Sequence, residues 1–402
     1  MPLTRRFSRL ARLDIFIGTG YAFSGAVSTV FVSMYLYRWL DGLAEMTIFN
    51  LGQFVLMPLG FVLAALVARR FGNRSSLGIA LALFVVFYGL LVLLGPASAR
   101  HLVGLGTLSG LANGFYWFPF NMITSRAATG VDKGRFYGIS GALSSAASAA
   151  GPLVSTLAIS LAPRPELGYA WLFLAIVAVM ASMSAAAFSL PPDSSRVPLR
   201  VGRYLRLKGA DGRWRFALGS SFAWGIRDSA SWSIVSILIL QGAGSESRAG
   251  YLAVGFAVLG IAANYLAGKA CSPGRASAVW GWGALLAIPA ALSISLWPGL
   301  AGAAALGALA KISDTLVIIP FNSAFLGVIA GYQRDEGSGA GRNVASEISI
   351  NLGRSIGVLG FLGLSALTPN YARIFLPIVS LAIPASWLIY RRYAPDIAAG
   401  AA

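Results

Sequence analysis

Charge is what this 402-residue chain has least of: 11% of its residues are Asp, Glu, Lys or Arg, against about 25% in soluble domains. Acids are scarcest, with 14 against 31 Lys and Arg. There is one cysteine, Cys271, which excludes an intrachain disulfide and any cysteine-based metal cluster. There is one histidine, His101, so a histidine proton relay is excluded. No Walker loop is present, so ATP does not drive the protein directly. "GLGTLSG" (104–110) misses the spacing of a dinucleotide fingerprint and follows no strand. "GISG" (138–141) would need a general base beside Ser140, and His101 belongs to the opposite end of the adjacent apolar segment. No catalytic constellation, metal site or cofactor site is left, and the sequence reads as a non-enzyme.

What is abundant is apolar sequence, at 57% of residues. Apolar runs of 18 or more residues recur from end to end, each long enough to cross the ~30 Å hydrocarbon core as a helix. The expectation is an all-α, polytopic membrane protein with twelve spans, at about 14–39, 46–68, 75–95, 102–125, 136–161, 169–190, 215–240, 250–271, 277–297, 301–325, 345–367 and 373–391. The basic start "MPLTRRFSRLARLD" leads into a run that outlasts a signal-peptide core and shows no cleavage site, so the first span is read as retained.

The net charge of +17 is not a nucleic-acid signature, because the cations sit in short loops and form no continuous basic face. Twenty-three fall on one side, among them Arg5, Arg6, Arg69, Arg70, Arg74, Lys133, Arg135, Arg196, Arg200, Arg334 and Arg342; five fall on the other, Arg38, Arg100, Arg164, Arg248 and Arg373. By the positive-inside rule both termini and the central linker are cytoplasmic. The remaining cations, Arg227, Lys311 and Arg354, are inside spans.

The stretch around 191–214 is the one loop long enough to divide the chain, giving an N-terminal six-helix bundle (1–190), a cytoplasmic linker and a C-terminal bundle (215–402). The halves repeat. "GTLSGLANGFYWFPFN" (106–121) and "GALAKISDTLVIIPFN" (307–322) share five of sixteen residues at a constant offset of 201, including the tripeptide Pro-Phe-Asn. Parallel six-span repeats are a transporter arrangement, with substrate expected at mid-membrane at the repeat interface.

On these features the chain resembles the major facilitator superfamily over essentially its whole length. The loop "ALVARRFGNRSS" keeps the basic residues and glycine of the family's loop 2–3 signature as Arg70, Gly72 and Arg74, with Ala65 and Arg69 where the family has glycine and aspartate. Gly151-Pro152 is similar to a degenerate antiporter motif, and "GFYWFPFN" with "NLGRSIG" (351–357) is similar to a little-characterised bacterial branch related to glycolipid flippases. The resemblance implies two six-helix bundles, alternating access, a cavity lined mainly by spans 1, 4, 7 and 10, and a bacterial cytoplasmic (inner) membrane, with a monomer as the expected state.

An ionised group at mid-membrane costs about 2.5–3.5 kcal/mol on insertion scales, so such residues face a cavity or a partner. Arg227 and Asp228 lie near the middle of span 7, and Lys311 and Asp314 at a matching depth in span 10, where the repeat equivalents Gly110 and Asn113 are neutral. Two readings stand. In one the charges are structural pairs: Lys311 with Asp314, Arg227 with Asp314, or Lys311 with Asp228. In the other, Asp228 and Asp314 carry protons while Arg227 and Lys311 bind an anionic substrate group. Asn113, Tyr21, Tyr116, Trp117, Trp224 and Trp232 are further substrate-site candidates, each with a packing alternative; Glu347, Arg354, Arg70 and Arg74 are gate or charge-network candidates. The functional expectation is a proton-coupled secondary transporter of a small or amphipathic solute, export favoured. A lipid or glycolipid flippase is the alternative, and a non-transporting sensor or partner protein the reading from another class.

Overall fold

A computed structural model describes residues 7–127, 133–192, 201–232, 234–271, 274–336 and 338–399. Arg5, Arg6, Arg196 and Arg200 lie outside the described residues, as do the side chains of Lys133, Arg135 and Arg334.

The described chain is helical throughout: α1 (Arg9–Tyr37), α2 (Leu43–Phe71), α3 (Asn73–Leu94), α4 (Leu102–Ala127), α5 (Lys133–Leu161), α6 (Pro165–Phe188), α7 (Gly212–Ser231), α8 (Ile234–Ala243), α9 (Glu246–Ala270), α10 (Ala276–Leu296), α11 (Leu300–Glu336), α12 (Gly339–Leu367), α13 (Tyr371–Ser380) and α14 (Ala382–Ala399). Ten helical segments among the described residues are long and apolar enough to cross a membrane, and one of them, 73–124, joins α3 to α4 and crosses twice. The seventh crossing is α7 followed by α8. It falls short of that measure because it is interrupted at Trp232 and α7 is rich in polar residues. Twelve spans result, and the protein is a multi-pass membrane protein. Large apolar side chains stand exposed along the spans, among them Leu66, Val258, Leu285 and Leu326, which suits a hydrocarbon surround.

Local sequence sets the ends. Ser8, Asp211 and Ser245 cap α1, α7 and α9 by accepting the backbone N–H of Ala11, Trp214 and Arg248 at 3.2, 2.9 and 3.3 Å. Between α2 and α3 the chain reverses at Gly72, whose φ of 85° is a conformation L side chains rarely adopt. The two copies of Pro-Phe-Asn fall inside α4 and α11, so each repeat carries a proline at the same point of its fourth span. A π-helical turn at Ser28–Val32 interrupts α1.

The chain divides into two compact units, Met1–Asp41 with Val55–Arg196, and Gly42–Phe54 with Val197–Ala402. In the first, α1 packs on α5, and α3 on α4 and α6, around a core that includes Tyr88, Tyr116, Tyr169 and Phe173. In the second, α10 packs on α11, and α7 on α12 and α14. Its core gathers Trp214, Phe216, Trp280, Val317 and Phe321.

Candidate functional site

Each unit has a polar seam between the first and fourth helices of its repeat, and the fourth-helix residue of each seam is the repeat equivalent of the other. In the first unit the Tyr21 hydroxyl on α1 donates to Asn113 Oδ1 on α4 at 2.7 Å, while Asn113 Nδ2 donates to the Ser109 carbonyl at 2.9 Å. That second bond fixes which end of the amide meets Tyr21. The Tyr21 ring lies 3.7 Å from that of Tyr116, nearly parallel, and edge-on to Trp117 at 5.2 Å. Tyr116 stacks on Phe120 in turn at 5.0 Å. Tyr116 is fully buried and its hydroxyl has no hydrogen-bond partner. From sequence each of these aromatics had two readings, a cavity wall or packing; Tyr116 packs within the aromatic column of its own unit.

Asn113 is the repeat equivalent of Asp314. In the second unit Asp314 on α11 meets Arg227 on α7, with Nη2 and Oδ1 3.4 Å apart. Arg227 also donates to Ser231 Oγ at 2.7 Å. Phe321, the equivalent of Phe120, stacks with Trp224 of α7 and with Phe325 at 6.4 and 5.6 Å. The neutral tyrosine–amide contact of one repeat is an ionic contact in the other.

The neighbouring residue, Asp228, faces a different helix. Its Oδ2 accepts from Arg354 Nη2 at 2.7 Å, from Arg354 Nε at 2.8 Å and from Trp232 Nε1 at 2.8 Å. Arg354 further donates to Asn351 Oδ1 at 3.1 Å and stands 3.9 Å from Glu347. Asn351 Nδ2 donates to Glu347 Oε1 at 3.0 Å. The guanidinium carbon lies 5.1 Å from the Trp232 ring centroid and 5.5 Å from that of Phe54. Arg354 is thus fixed by charge, by hydrogen bonds and by cation–π contact together. Close backbone approach makes this possible. A Cβ on Gly225 would stand 2.0 Å from the Ile350 carbonyl oxygen, and one on Gly353 2.2 Å from that of Phe222, so α7 and α12 meet through glycine.

Of the three pairings expected from sequence, Arg227 with Asp314 is present. Lys311 with Asp228 is not, because Arg354 holds that carboxylate. Lys311 is exposed, and no carboxylate among the described residues lies within 4.0 Å of its ammonium. Its methylenes lie over Gly260 of α9, where an added Cβ would stand 2.3 Å from Lys311 Cε. Arg70 is exposed with its guanidinium 5.4 Å from the Phe71 ring centroid, and Arg74 is half-buried. Neither has a carboxylate within 4.0 Å among the described residues.

Sequence reasoning passed over three participants. Asn351 was legible as the middle of a stripe, Glu347, Asn351 and Arg354, on one helical face. Ser231 is one turn beyond Arg227. Asp14 was read with the basic N-terminal segment, yet it is 1% exposed and accepts from Thr124 of α4 at 2.8 Å through Oδ1, leaving Oδ2 without a partner.

Outside the spans, the start of α7 is tied to α11 and α12. Asp211 accepts from the Tyr332 hydroxyl, and the Arg342 guanidinium stands 3.5 Å from the Tyr332 ring centroid and 4.9 Å from those of Tyr204 and Trp214. Burial works against ionisation of Asp211, but the Tyr332 hydroxyl, the Trp214 N–H and Arg213 outweigh it and hold the carboxyl below its ordinary value.

No family profile matches the chain. Over 367 residues it is 24% identical to the uncharacterized protein YqgE of Bacillus subtilis (strain 168), spanning 91% of this chain and 85% of that one. Among solved structures, a mutant of the nucleoside transporter NupG superposes with a TM-score of 0.71 at 12% identity, covering 96% of this chain and 100% of the other. A mutant of the Escherichia coli fucose:proton symporter FucP superposes with a TM-score of 0.60 at 14% identity, covering 98% and 99%. The chain has the fold of major facilitator transporters.

Proposed function

We propose that the protein is a secondary active transporter working by alternating access, coupled to protons and exporting a small or amphipathic solute across a bacterial cytoplasmic membrane. The observation that carries this reading is the unequal pair of ion pairs on consecutive residues of α7. Ionised side chains within a spanning helix are functional by default, because the bilayer charges heavily for them. Asp228 and Arg354 form a saturated contact, with three donors on one oxygen. Arg227 and Asp314 form an open one, a 3.4 Å approach in which Arg227 Nε and Asp314 Oδ1 have no hydrogen-bond partner. A fold needs only the first kind. The second kind is what a working site needs, since a contact that must break and re-form in each cycle cannot be deep.

In this reading Asp314 is the residue that takes up and releases a proton. Its neutral form frees Arg227, and its charged form draws Arg227 back. Asp228, held by Arg354, couples the α7–α11 contact to the position of α12. Export is proposed on the Gly-Pro step of α5 and the aromatic column along α1 and α4.

The test uses the full chain in proteoliposomes loaded with a pH-sensitive dye. Candidate solutes are added under an imposed proton gradient. Solute-dependent proton movement is expected in the wild type and is expected to vanish in Asp314→Asn, with folded yield unchanged. Asp228→Asn is expected to abolish it as well. Undiminished proton movement in both variants sinks the coupling proposal. Ion pairs that stay closed at every pH and with every solute would identify a non-transporting partner protein instead.

A further inference from the structure

We propose that the solute bears a single negative charge, an organic carboxylate or phosphate monoanion, and that Lys311 and Arg227 are its cationic partners. The inference rests on the transporter reading above and deepens it. Three carboxylates and three cations stand at this level of the second unit: Asp228, Asp314 and Glu347 against Arg227, Lys311 and Arg354. Arg354 is committed. It makes two bonds to Asp228, of 2.7 and 2.8 Å, and has Glu347 3.9 Å away on its other side. Two acids and one base are thereby gathered on the α7–α12 seam. The two remaining cations attend Asp314, Arg227 in contact with it from α7 and Lys311 one turn earlier on α11, a local surplus of one positive charge.

Three observations show that this surplus is built into a site. Lys311 is exposed with no carboxylate within 4.0 Å among the described residues, although it stands a dozen residues into a spanning helix. Its stem lies over a glycine, Gly260, where an added Cβ would stand 2.3 Å from Lys311 Cε. Arg227 is more than nine-tenths buried, yet its Nε is unpartnered and its ionic contact with Asp314 is 3.4 Å long. A carboxylate or phosphate oxygen supplies what is missing: an acceptor for an orphaned guanidinium N–H, and a counter-charge for the ammonium. A cationic solute would add to the surplus, and a neutral one would leave it in place. The repeat equivalents Gly110 and Asn113 carry no charge, so the anion site belongs to the second unit alone.

The experiment measures binding to the full chain in phosphatidylcholine nanodiscs, using four probes of equal chain length: hexanoate, hexyl phosphate, hexanamide and hexylamine. Hexanoate and hexyl phosphate are expected to bind about tenfold or more tightly than the neutral and cationic probes. Lys311→Ala is expected to bring the anions down to the level of hexanamide, and Lys311→Arg to retain the preference. Gly260→Ala, whose Cβ meets the lysine stem first, is expected to weaken the anions and leave hexanamide unchanged. Repeating the titration with phosphatidylglycerol in the discs separates the sources of the anion: competition by that lipid assigns the site to a headgroup, and no competition assigns it to a soluble solute. Equal affinity for hexanoate and hexanamide, no binding of either anion, or unchanged anion preference in Lys311→Ala overturns the inference. Solute-dependent proton movement without anion preference removes this inference and leaves the transporter reading. Anion preference with no transport of any solute does the reverse.

Discussion

Asp228 and Arg354 can be removed singly and together, and the cost of each change follows from their surroundings. Their side chains are 15% and 9% exposed, joined by bonds of 2.7 and 2.8 Å, with Trp232 donating to the same oxygen. Arg354→Leu leaves a buried carboxylate with one neutral donor, and Asp228→Leu leaves a buried guanidinium. Removing one member of a buried pair costs about 3–5 kcal/mol, whereas replacing both with apolar groups is often close to neutral. The double variant still leaves Glu347 without its cation, so it should recover only the Asp228 share of the loss, giving a coupling energy of roughly 3 kcal/mol. Neutral hydrogen bonds between membrane helices average about 0.6 kcal/mol and reach about 1.7, so the ionic coupling should stand clearly outside that range. The matching cycle on Arg227 and Asp314 should yield a smaller coupling, because the approach is long and neither Arg227 Nε nor Asp314 Oδ1 makes a hydrogen bond among the described residues. Its contact is 3.4 Å and the Asp314 side chain is 30% exposed. Reversible unfolding in mixed detergent micelles, titrated with SDS, measures both cycles on the same footing. The reasoning fails if the Asp228–Arg354 coupling falls within the neutral range, or if the Arg227–Asp314 coupling equals or exceeds it.

The glycine seam can be probed by volume. Gly353→Val adds a Cβ 2.2 Å from the Phe222 carbonyl oxygen and 3.0 Å from the Ile226 nitrogen, overpacking that should cost about 1–3 kcal/mol or more. Gly363→Val, on the same helix with nothing within 4 Å of its Cβ, should leave the folded yield unchanged in size-exclusion profiles. At the start of α7, Asp211 has a folded value below its ordinary 3.8. Its stabilising contribution is therefore complete above that value and disappears as pH falls through the lower, folded one. Asp211→Asn should be less stable than the wild type at pH 7, and the difference should shrink only as pH drops below about 4; a difference that shrinks toward alkaline pH would contradict the assignment.

The span map was legible because hydrocarbon is an unforgiving solvent, and the repeat because Pro-Phe-Asn returned at one offset. The intramembrane charges were equally plain, since an ion in an apolar run has no neutral explanation. Their partners were not. Successive residues of a helix point about 100° apart, so Arg227 and Asp228 serve two different seams, one toward α11 and one toward α12. Choosing between Lys311 and Arg354 as the partner of Asp228 requires the rotational phase of three helices, and composition carries none of it. The glycines that let α7 and α12 touch were visible as letters, but their contact is a property of the pair. Asp14 escaped notice for a simpler reason: four arginines precede it, and only its burial separates it from them.

Trp232 gives the molecule an optical consequence. Its indole N–H is donated to the same Asp228 oxygen that Arg354 holds, and the guanidinium stands 5.1 Å from its ring centroid. An indole between a carboxylate and a cation emits at an energy set by that local field. Opening the Asp228–Arg354 contact would withdraw the cation and leave the carboxylate, four residues back on the same segment, in place. The protein therefore carries a native fluorophore at its principal ionic junction, readable in the unlabelled chain as the spectral difference from Trp232→Phe.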